Sequence, residues 1–530
     1  MKTIDDEKQN AGAQAPKPSR TSRFLHGVWL GYANQALMLL GGLWLTPFLL
    51  HRIGQHDYGL WLVGTQVLMY LGLLDIGVVG LVPREIAYAT GRSGGVESAT
   101  DLPLMLGQAA RVVLYQTPVV ILAVSVAWFL LPASWQGFRG AIGLTMAAFV
   151  VTFPLRIFHA ILQGLQDFRF VGQAQILIWI VSTTSIVILV LKGFGFYALA
   201  IGWVVTELLS AASAIYRVRS RFPTVWPHRL PPLPLSGLFR YLGRGFWISL
   251  SQIAAPLMGG TDLLIIGRLY GPSAVVPYSC TRKLIQVLQN QPNLVMQVAS
   301  PGLSELKTGA PRERISGAIT ALTQAMLMFS GLVACVALAV NRSFVTWWVG
   351  PSLYGGATLT VLIVIEMLVR HWRTTVVYSA FCFGYERRIS ISSLLDGVVT
   401  VSSALLFVWW WGPVGAPLGS ILGACATTLP ANLYALKREI GASLATLIKP
   451  LWPWFWRLSI VLTGALAVNL RLRWPNFLGV AILASAAGLV YVAVMFQTGR
   501  DSALGTYLRP RLMAIWKRFF VSAPLLDDVQ

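Results

Sequence analysis

The sequence predicts an all-α polytopic membrane protein with about fourteen transmembrane helices, and three observations carry that prediction. Apolar residues make up 55% of the 530 positions and charged ones 12%, about half the charged share of a soluble chain. Fourteen apolar stretches follow one another with short polar breaks; a hydrocarbon core about 30 Å thick needs roughly 20 apolar residues per helix. Finally, 27 of the 41 Lys and Arg fall in alternate breaks, on one side of the membrane. Nothing remains for a soluble catalytic domain.

In order, segment 1–23 is polar, with Lys2, Lys8, Lys17, Arg20 and Arg23. It reads as an uncleaved, disordered tail, because the apolar run after it is too long and too late for a signal peptide. Helices 1–6 are expected at 24–50, 59–82, 112–132, 141–163, 172–192 and 195–216, forming an N-lobe over 24–216. Residues 217–244 are basic and carry Pro223, Pro227, Pro231, Pro232 and Pro234. Such a stretch resists forming a long helix and is expected to be a cytoplasmic linker that joins two lobes while letting them move. Helices 7–12 follow at 245–268, 277–299, 316–340, 355–382, 389–411 and 413–436, a C-lobe over 245–438. Helices 13 and 14, at 454–470 and 476–497, are an addition over 454–497, and 498–530 is a basic cytoplasmic tail.

Loop charge sets the expected orientation, since short cytoplasmic loops retain Lys and Arg. With 27 basic residues on one side and seven on the other, both termini are expected in the cytoplasm. The net charge of +21 then lies mainly against anionic lipid headgroups, which leaves no role for nucleic acid as a partner.

A repeat runs through the chain. Gly54 matches Gly271 at an offset of 217, Pro83 with Thr90 and Gly91 matches Pro301 with Thr308 and Gly309 at 218, Arg156 matches Arg373 at 217, and Gly164 matches Gly384 at 220. Six spans separate each pair, so the lobes should be related by an axis along the membrane normal. Small residues four apart, Gly415, Gly419 and Gly423, and Ala198 with Gly202, are expected to let backbones approach.

Ionised groups in hydrocarbon cost about 2.5 to 3.5 kcal/mol each at a helix centre and usually face protein or a wet cavity. The candidates are Asp75, Arg156, His159, Glu207, Asp262, Arg282, Lys283, Glu366, Arg370, His371, Arg373 and Asp396. Arg370 and Arg373 share a helix face, and Arg156 and Arg373 are repeat equivalents. Guanidinium forks suit phosphate oxygens, so Arg156, Arg370, Arg373, Arg282 and Lys283 are candidate ligands for a phosphate or diphosphate; pairing with neighbouring carboxylates, or snorkelling and anchoring at the membrane interface, is the alternative. Asp75, Asp262 and Glu366 are candidates for H+ or Na+ coupling or for charge partners. His159 and His371 are expected to be packed residues. Cys280, Cys335, Cys382 and Cys425 lie in apolar stretches and read as buried thiols, with neither disulfide nor metal site. No catalytic arrangement, metal-spaced cluster or phosphate-cradling loop stands out, so a non-enzyme without cofactors is expected.

Several short runs resemble polysaccharide flippases of the Wzx type, in the multidrug, oligosaccharidyl-lipid and polysaccharide exporter superfamily. They are Pro47-Phe48, Arg52-Ile53-Gly54, Tyr58-Gly59-Leu60-Trp61, Leu73-Leu74-Asp75-Ile76-Gly77, Arg84-Glu85-Ile86-Ala87, Gln163-Gly164-Leu165-Gln166 and the stretch from Asp262 through Ile265-Ile266-Gly267 to Tyr278 and Lys283. The resemblance implies a MATE-like fold of two six-helix bundles, here with two extra helices that form a groove for a lipid tail, and a cavity open to one side at a time. It implies transport of undecaprenyl-diphosphate-linked oligosaccharide from the cytoplasmic to the periplasmic leaflet of a bacterial inner membrane. It further implies that a polysaccharide polymerase and glycosyltransferases are partners in making surface polysaccharide. Related lipid II flippases carry arginines in their first helices, whereas span 1 here has none, which argues against a peptidoglycan precursor. A multidrug antiporter of the same fold is the nearest alternative. A polysaccharide polymerase or ligase is disfavoured, because the longest outer loop runs only from about Asn341 to Tyr354.

Overall fold

The computed structural model describes residues 20–505 apart from 76–77, 94–97, 132–136, 228, 235–236, 239–252, 291, 294–295, 297–302, 304–310 and 442, with the backbone alone at 20–35, 75, 78–79, 91 and 444. Among the described residues the regular structure is all helix and no strand. Lipid cannot bond a backbone N–H or C=O, so each spanning segment must satisfy these groups internally.

The order is Arg20–Ile53, Gln55–Leu71, Val78–Ser93, Leu102–Phe129, Arg139–Thr152, Arg156–Gly164, Phe168–Leu191 and Phe196–Arg221. Then come Thr261–Tyr270, Pro272–Leu288, Arg312–Trp348, Ala357–Cys382, Glu386–Trp411, Gly415–Gly423, Leu429–Ile440, Leu444–Ile448, Trp452–Arg471 and Phe477–Asp501. Nine stretches among the described residues are long and apolar enough to cross a membrane, one of them the 55-residue run Glu386–Ile440. Helix Ala357–Cys382 is as long as several of these but carries Glu366, Arg370 and Arg373 near its middle. The expected span 59–82 is interrupted by a 3₁₀ turn at Gly72–Asp75. The helix Arg312–Trp348 runs on for 37 residues, so most of the expected outer loop near Asn341 is helix.

Backbone geometry repeats with the sequence. Gly54 (φ 86°, ψ 164°) and Gly271 (φ 84°, ψ 165°) share a conformation that disfavours side chains, and each opens a 17-residue helix. The later turn corrects one match. Asp167 N–H donates to Leu162 O and Gln166 N–H to Gln163 O, while Tyr385 N–H donates to Ala380 O and Gly384 N–H to Phe381 O, the same bonds at an offset of 218. Gly384 (φ 84°) therefore corresponds to Gln166 (φ 58°), not to Gly164, whose added Cβ would lie 2.8 Å from the Ile86 side chain. Pro301, Thr308 and Gly309 lie outside the described residues. Gln166 is exposed and holds a left-handed conformation that favours glycine. The substitution Gln166→Gly is expected to stabilise the protein by about 0.5 to 1 kcal/mol, strain relief outweighing the added freedom of the unfolded chain. Thermal unfolding in detergent checks this, and an unchanged or lower midpoint overturns it.

The chain forms two compact units: 1–45, 79–121 and 130–234 in the first, and 46–78, 122–129 and 235–530 in the second. In unit 1, helix Phe196–Arg221 is packed by Arg139–Thr152, Arg156–Gly164 and Phe168–Leu191. Its Ala198 is fully buried, and a Cβ on Gly202 would strike Ile186, so these small residues do permit close approach. The described residues of 222–234 are fastened to this unit at several points. Val225 is buried, Trp226 lies 4.5 Å from the Phe158 ring, and Arg111 Nη2 donates to Leu230 O at 2.9 Å. Pro227 and Pro231 sit over Gly107, where a larger residue would not fit.

In unit 2, helix Arg312–Trp348 is the central support, packed by Ala357–Cys382, Trp452–Arg471, Phe477–Asp501 and Pro272–Leu288. Polar side chains cap backbone carbonyls across these contacts. Asn469 Nδ2 donates to Leu338 O at 2.7 Å and Tyr491 Oη to Met328 O at 2.6 Å, with Gly331 making room for the Tyr491 ring. Helix Gln55–Leu71 also belongs here, packed on Thr261–Tyr270 and Pro272–Leu288. There Gln55 Nε2 donates to Ser273 O at 2.7 Å, and Gly59 leaves space for the Pro272 carbonyl.

Candidate functional site

Three glycines four apart build the floor of the site. A Cβ at Gly419 would lie 2.6 Å from the Ala404 backbone, and Gly415 and Gly423 are tighter still against Phe407 and Thr400. This contact presses Gly415–Gly423 onto Glu386–Trp411 and seats Asp396 beside helix Ala357–Cys382, whose Glu366, Arg370 and Arg373 follow one another at turn spacing.

Asp396 is completely buried. Its Oδ2 lies 2.9 Å from Arg370 Nη1 and 3.0 Å from Arg373 Nε and accepts a bond from the Thr428 hydroxyl. Its Oδ1 accepts from Thr400 Oγ1 at 3.1 Å. Arg370 also donates from Nε to Ser420 Oγ and from Nη2 to Ser420 O, both at 3.0 Å. Arg373 donates from Nε to Thr428 Oγ1 at 3.1 Å and from Nη2 to Ser393 Oγ at 3.0 Å. Its Nη1 makes no hydrogen bond among the described residues.

Ser420 links this group to a second one, because its hydroxyl donates to Glu366 Oε1 at 2.8 Å. The same oxygen lies 2.9 Å from Arg282 Nη2, and Arg282 Nη1 lies 2.9 Å from Asp262 Oδ2. Tyr278 Oη donates to Asp262 at 2.6 Å and accepts from Arg282 Nη1 at 2.8 Å. Glu366 Oε2 is buried with no hydrogen-bond partner among the described residues. The network thus sets Arg282, Arg370 and Arg373 against Asp262, Glu366 and Asp396. Charge is uneven along it: two guanidinium groups share Asp396, and two carboxylates share Arg282. Buried ions repay their desolvation only with such partners.

The remaining candidates make none of these bonds. Lys283 is half-buried and forms no ion pair among the described residues. Arg156, in unit 1, lies 5.4 Å over the Phe149 ring and within electrostatic reach of Glu207, to which Thr152 Oγ1 donates at 3.5 Å. His371 bonds Ser330 Oγ at 2.7 Å and Gln289 O at 3.0 Å, the packed role expected of it. The side chain of Asp75 lies outside the described residues. Sequence reasoning placed Asp396 among the buried charges but missed it as the hub, along with Tyr278, Ser393, Thr400, Ser420 and Thr428. The signal was present as a polar face on the eleventh span: Ser392, Ser393, Asp396, Thr400 and Ser403.

Residues 109–349 match a family described as polysaccharide biosynthesis protein. That stretch includes Arg156, Asp262, Tyr278, Arg282 and Lys283. No curated protein matches by sequence. Among solved structures, the lipid II flippase MurJ in an inward closed conformation is similar with a TM-score of 0.63 and 11% identity, over 89% of this chain and 98% of that one. The eukaryotic MATE transporter AtDTX14 is similar at 0.51 and 12%, over 89% and 98%. An inward-facing multidrug resistance MATE family transporter of the MOP superfamily is similar at 0.51 and 15%, over 76% and 96%. Helical content, apolar spans and these likenesses agree: the chain is a polytopic membrane protein with the MurJ- and MATE-like fold, and its residues 109–349 match the polysaccharide biosynthesis family.

Proposed function

We propose that this protein is a flippase that moves undecaprenyl-diphosphate-linked oligosaccharide from the cytoplasmic to the periplasmic leaflet of a bacterial inner membrane, by alternating access, for surface polysaccharide synthesis. Both termini are cytoplasmic in this reading, and glycosyltransferases and a polymerase act before and after it. The carrying observation is the family match over residues 109–349 on a flippase-like fold. The uneven network adds chemical support. Arg370 and Arg373 divide one carboxylate, and the Arg373 Nη1 has donors to spare. A diphosphate offers the oxygens such donors lack. In this reading Arg373, Lys283 and Arg156 contact the diphosphate, while Arg370 and Arg282 hold the network that positions Arg373. Membrane lipids receive the polyprenyl tail.

The other half suits coupling. Glu366 and Asp262 share Arg282, and Glu366 Oε2, which has no partner among the described residues, is the natural place for a proton or Na+ to bind and leave. Proteoliposomes loaded with the lipid-linked oligosaccharide test the whole reading, with an impermeant glycan-binding probe on the far side. Protein-dependent exposure of the glycan is expected, stimulated by a proton or sodium gradient. Glu366→Gln is expected to remove the stimulation, and stimulation that persists rules out Glu366 as the coupling group. Efflux of drug cations without glycan exposure would identify an antiporter instead.

A further inference from the structure

A cavity of about 590 Å³ in unit 2 opens beside the first turns of helix Glu386–Trp411 and is lined by Tyr385, Arg387, Arg388, Ile391, Leu395 and Ala431. Arg387 and Arg388 stand in the first turn of helix Glu386–Trp411, where the long apolar run begins. Exposed Trp409, Trp410 and Trp411 end the same helix. From Arg388 to Trp409 the helix rises about 32 Å, close to the roughly 30 Å of a hydrocarbon core. The arginines therefore lie at headgroup level and the tryptophans at the opposite boundary.

The wall that continues along the helix from the arginines is apolar and exposed, with Ile391 41% exposed and Leu395, one turn on, 52% exposed. Arg388 lies 5.6 Å over the Tyr434 ring, which steadies the guanidinium without neutralising it. The corner also holds acidic groups. Glu386 is exposed in the first turn, and Glu439 accepts the Tyr385 hydroxyl at 2.9 Å. That bond is the main reason the Tyr385 hydroxyl is held above the ordinary phenol range, against the opposing effect of Arg438 and Arg388. Arg387, Arg388 and Arg438 outnumber Glu386 and Glu439, so the corner is cationic.

We propose that this cavity binds an anionic diacyl phospholipid of the surrounding leaflet, with its phosphate on Arg387 and Arg388 and an acyl chain along Ile391 and Leu395. Basic pockets between spanning helices suit such headgroups, and the apolar wall beneath selects a lipid over a soluble anion. The site does not depend on the flippase reading.

Native mass spectrometry of the full-length protein tests it, with phosphatidylglycerol and phosphatidylcholine of identical chains in competition. Separate arms use undecaprenyl phosphate and inorganic phosphate. A preference for phosphatidylglycerol of roughly 30-fold is expected, two arginines each contributing one favourable contact. The double variant Arg387→Gln, Arg388→Gln is expected to lose most of that preference. Leu395→Trp, which fills the wall and leaves the charges, is expected to weaken binding of both lipids. Arg219→Gln with Arg221→Gln, at the end of helix Phe196–Arg221, is expected to keep the preference. Equal binding of the two lipids by the parent protein, or an undiminished preference in the double variant, overturns the assignment. So does undecaprenyl phosphate displacing phosphatidylglycerol at equal concentration, or inorganic phosphate competing as well as the lipid. If the double variant does not fold, the parent competition and Leu395→Trp decide.

Discussion

Asp396→Ala is expected to be the most destabilising single substitution in unit 2, at about 3 to 5 kcal/mol, the cost of stranding buried charge. The carboxylate has no exposure and holds Arg370, Arg373, Thr400 and Thr428 together. Its loss leaves two guanidinium groups facing each other with no counter-ion. Asp396→Asn is expected to behave similarly, since the amide preserves shape but not charge. Thermal unfolding and the yield of monodisperse protein in detergent measure both. Adding Arg373→Gln to Asp396→Asn is expected to recover part of the loss, because one of the stranded charges is then gone and neighbouring effects do not add. A parent-like midpoint for Asp396→Ala would show that the network does not stabilise the fold.

The double substitution Arg156→Gln, Arg373→Gln carries the largest functional effect. Charge-assisted hydrogen bonds are worth about 1.5 to 3 kcal/mol each, so losing one from each arginine is expected to slow translocation of a lipid-linked oligosaccharide at least about 100-fold. Folding is expected to survive. Arg370 still pairs with Asp396 at 2.9 Å, and Thr152 still bonds Glu207. Flipping in proteoliposomes at a matched amount of folded protein is the measurement. Parent-like flipping in the double variant removes the diphosphate role from both arginines, and loss of the folded protein alongside activity would assign them to structure.

The fold was legible because lipid simplifies the problem. With no water to bond the backbone, an apolar run of spanning length has one outcome, and the expected spans at 172–192, 195–216, 355–382, 389–411 and 454–470 lie within two to five residues of the observed helix ends. Breaks inside spans were harder to read. Pro154 introduces the 3₁₀ turn Phe153–Leu155 within one span, yet Pro47 and Pro118 sit inside continuous helices, so proline alone did not locate the interruptions. The repeat was visible at Gly54 and Gly271 because positive φ selects glycine. It was misaligned at Gly384 because its counterpart, Gln166, adopts that conformation without being glycine.

For the site, the sequence by itself singled out the charges inside apolar runs, Asp262, Glu366 and Asp396 among them, since each is an exception whose cost demands a partner or a wet cavity. It also set the turn spacing of Glu366, Arg370 and Arg373 on one helix. Which charge meets which was decided by tertiary structure alone. Arg282 reaches Glu366 across 84 positions and Arg370 reaches Asp396 across 26, and the second pairing depends on how closely glycines at 415, 419 and 423 let the helix of Asp396 be approached. Local periodicity records the face a residue occupies, but a distance of 2.9 Å between helices is set by packing on both sides of the contact.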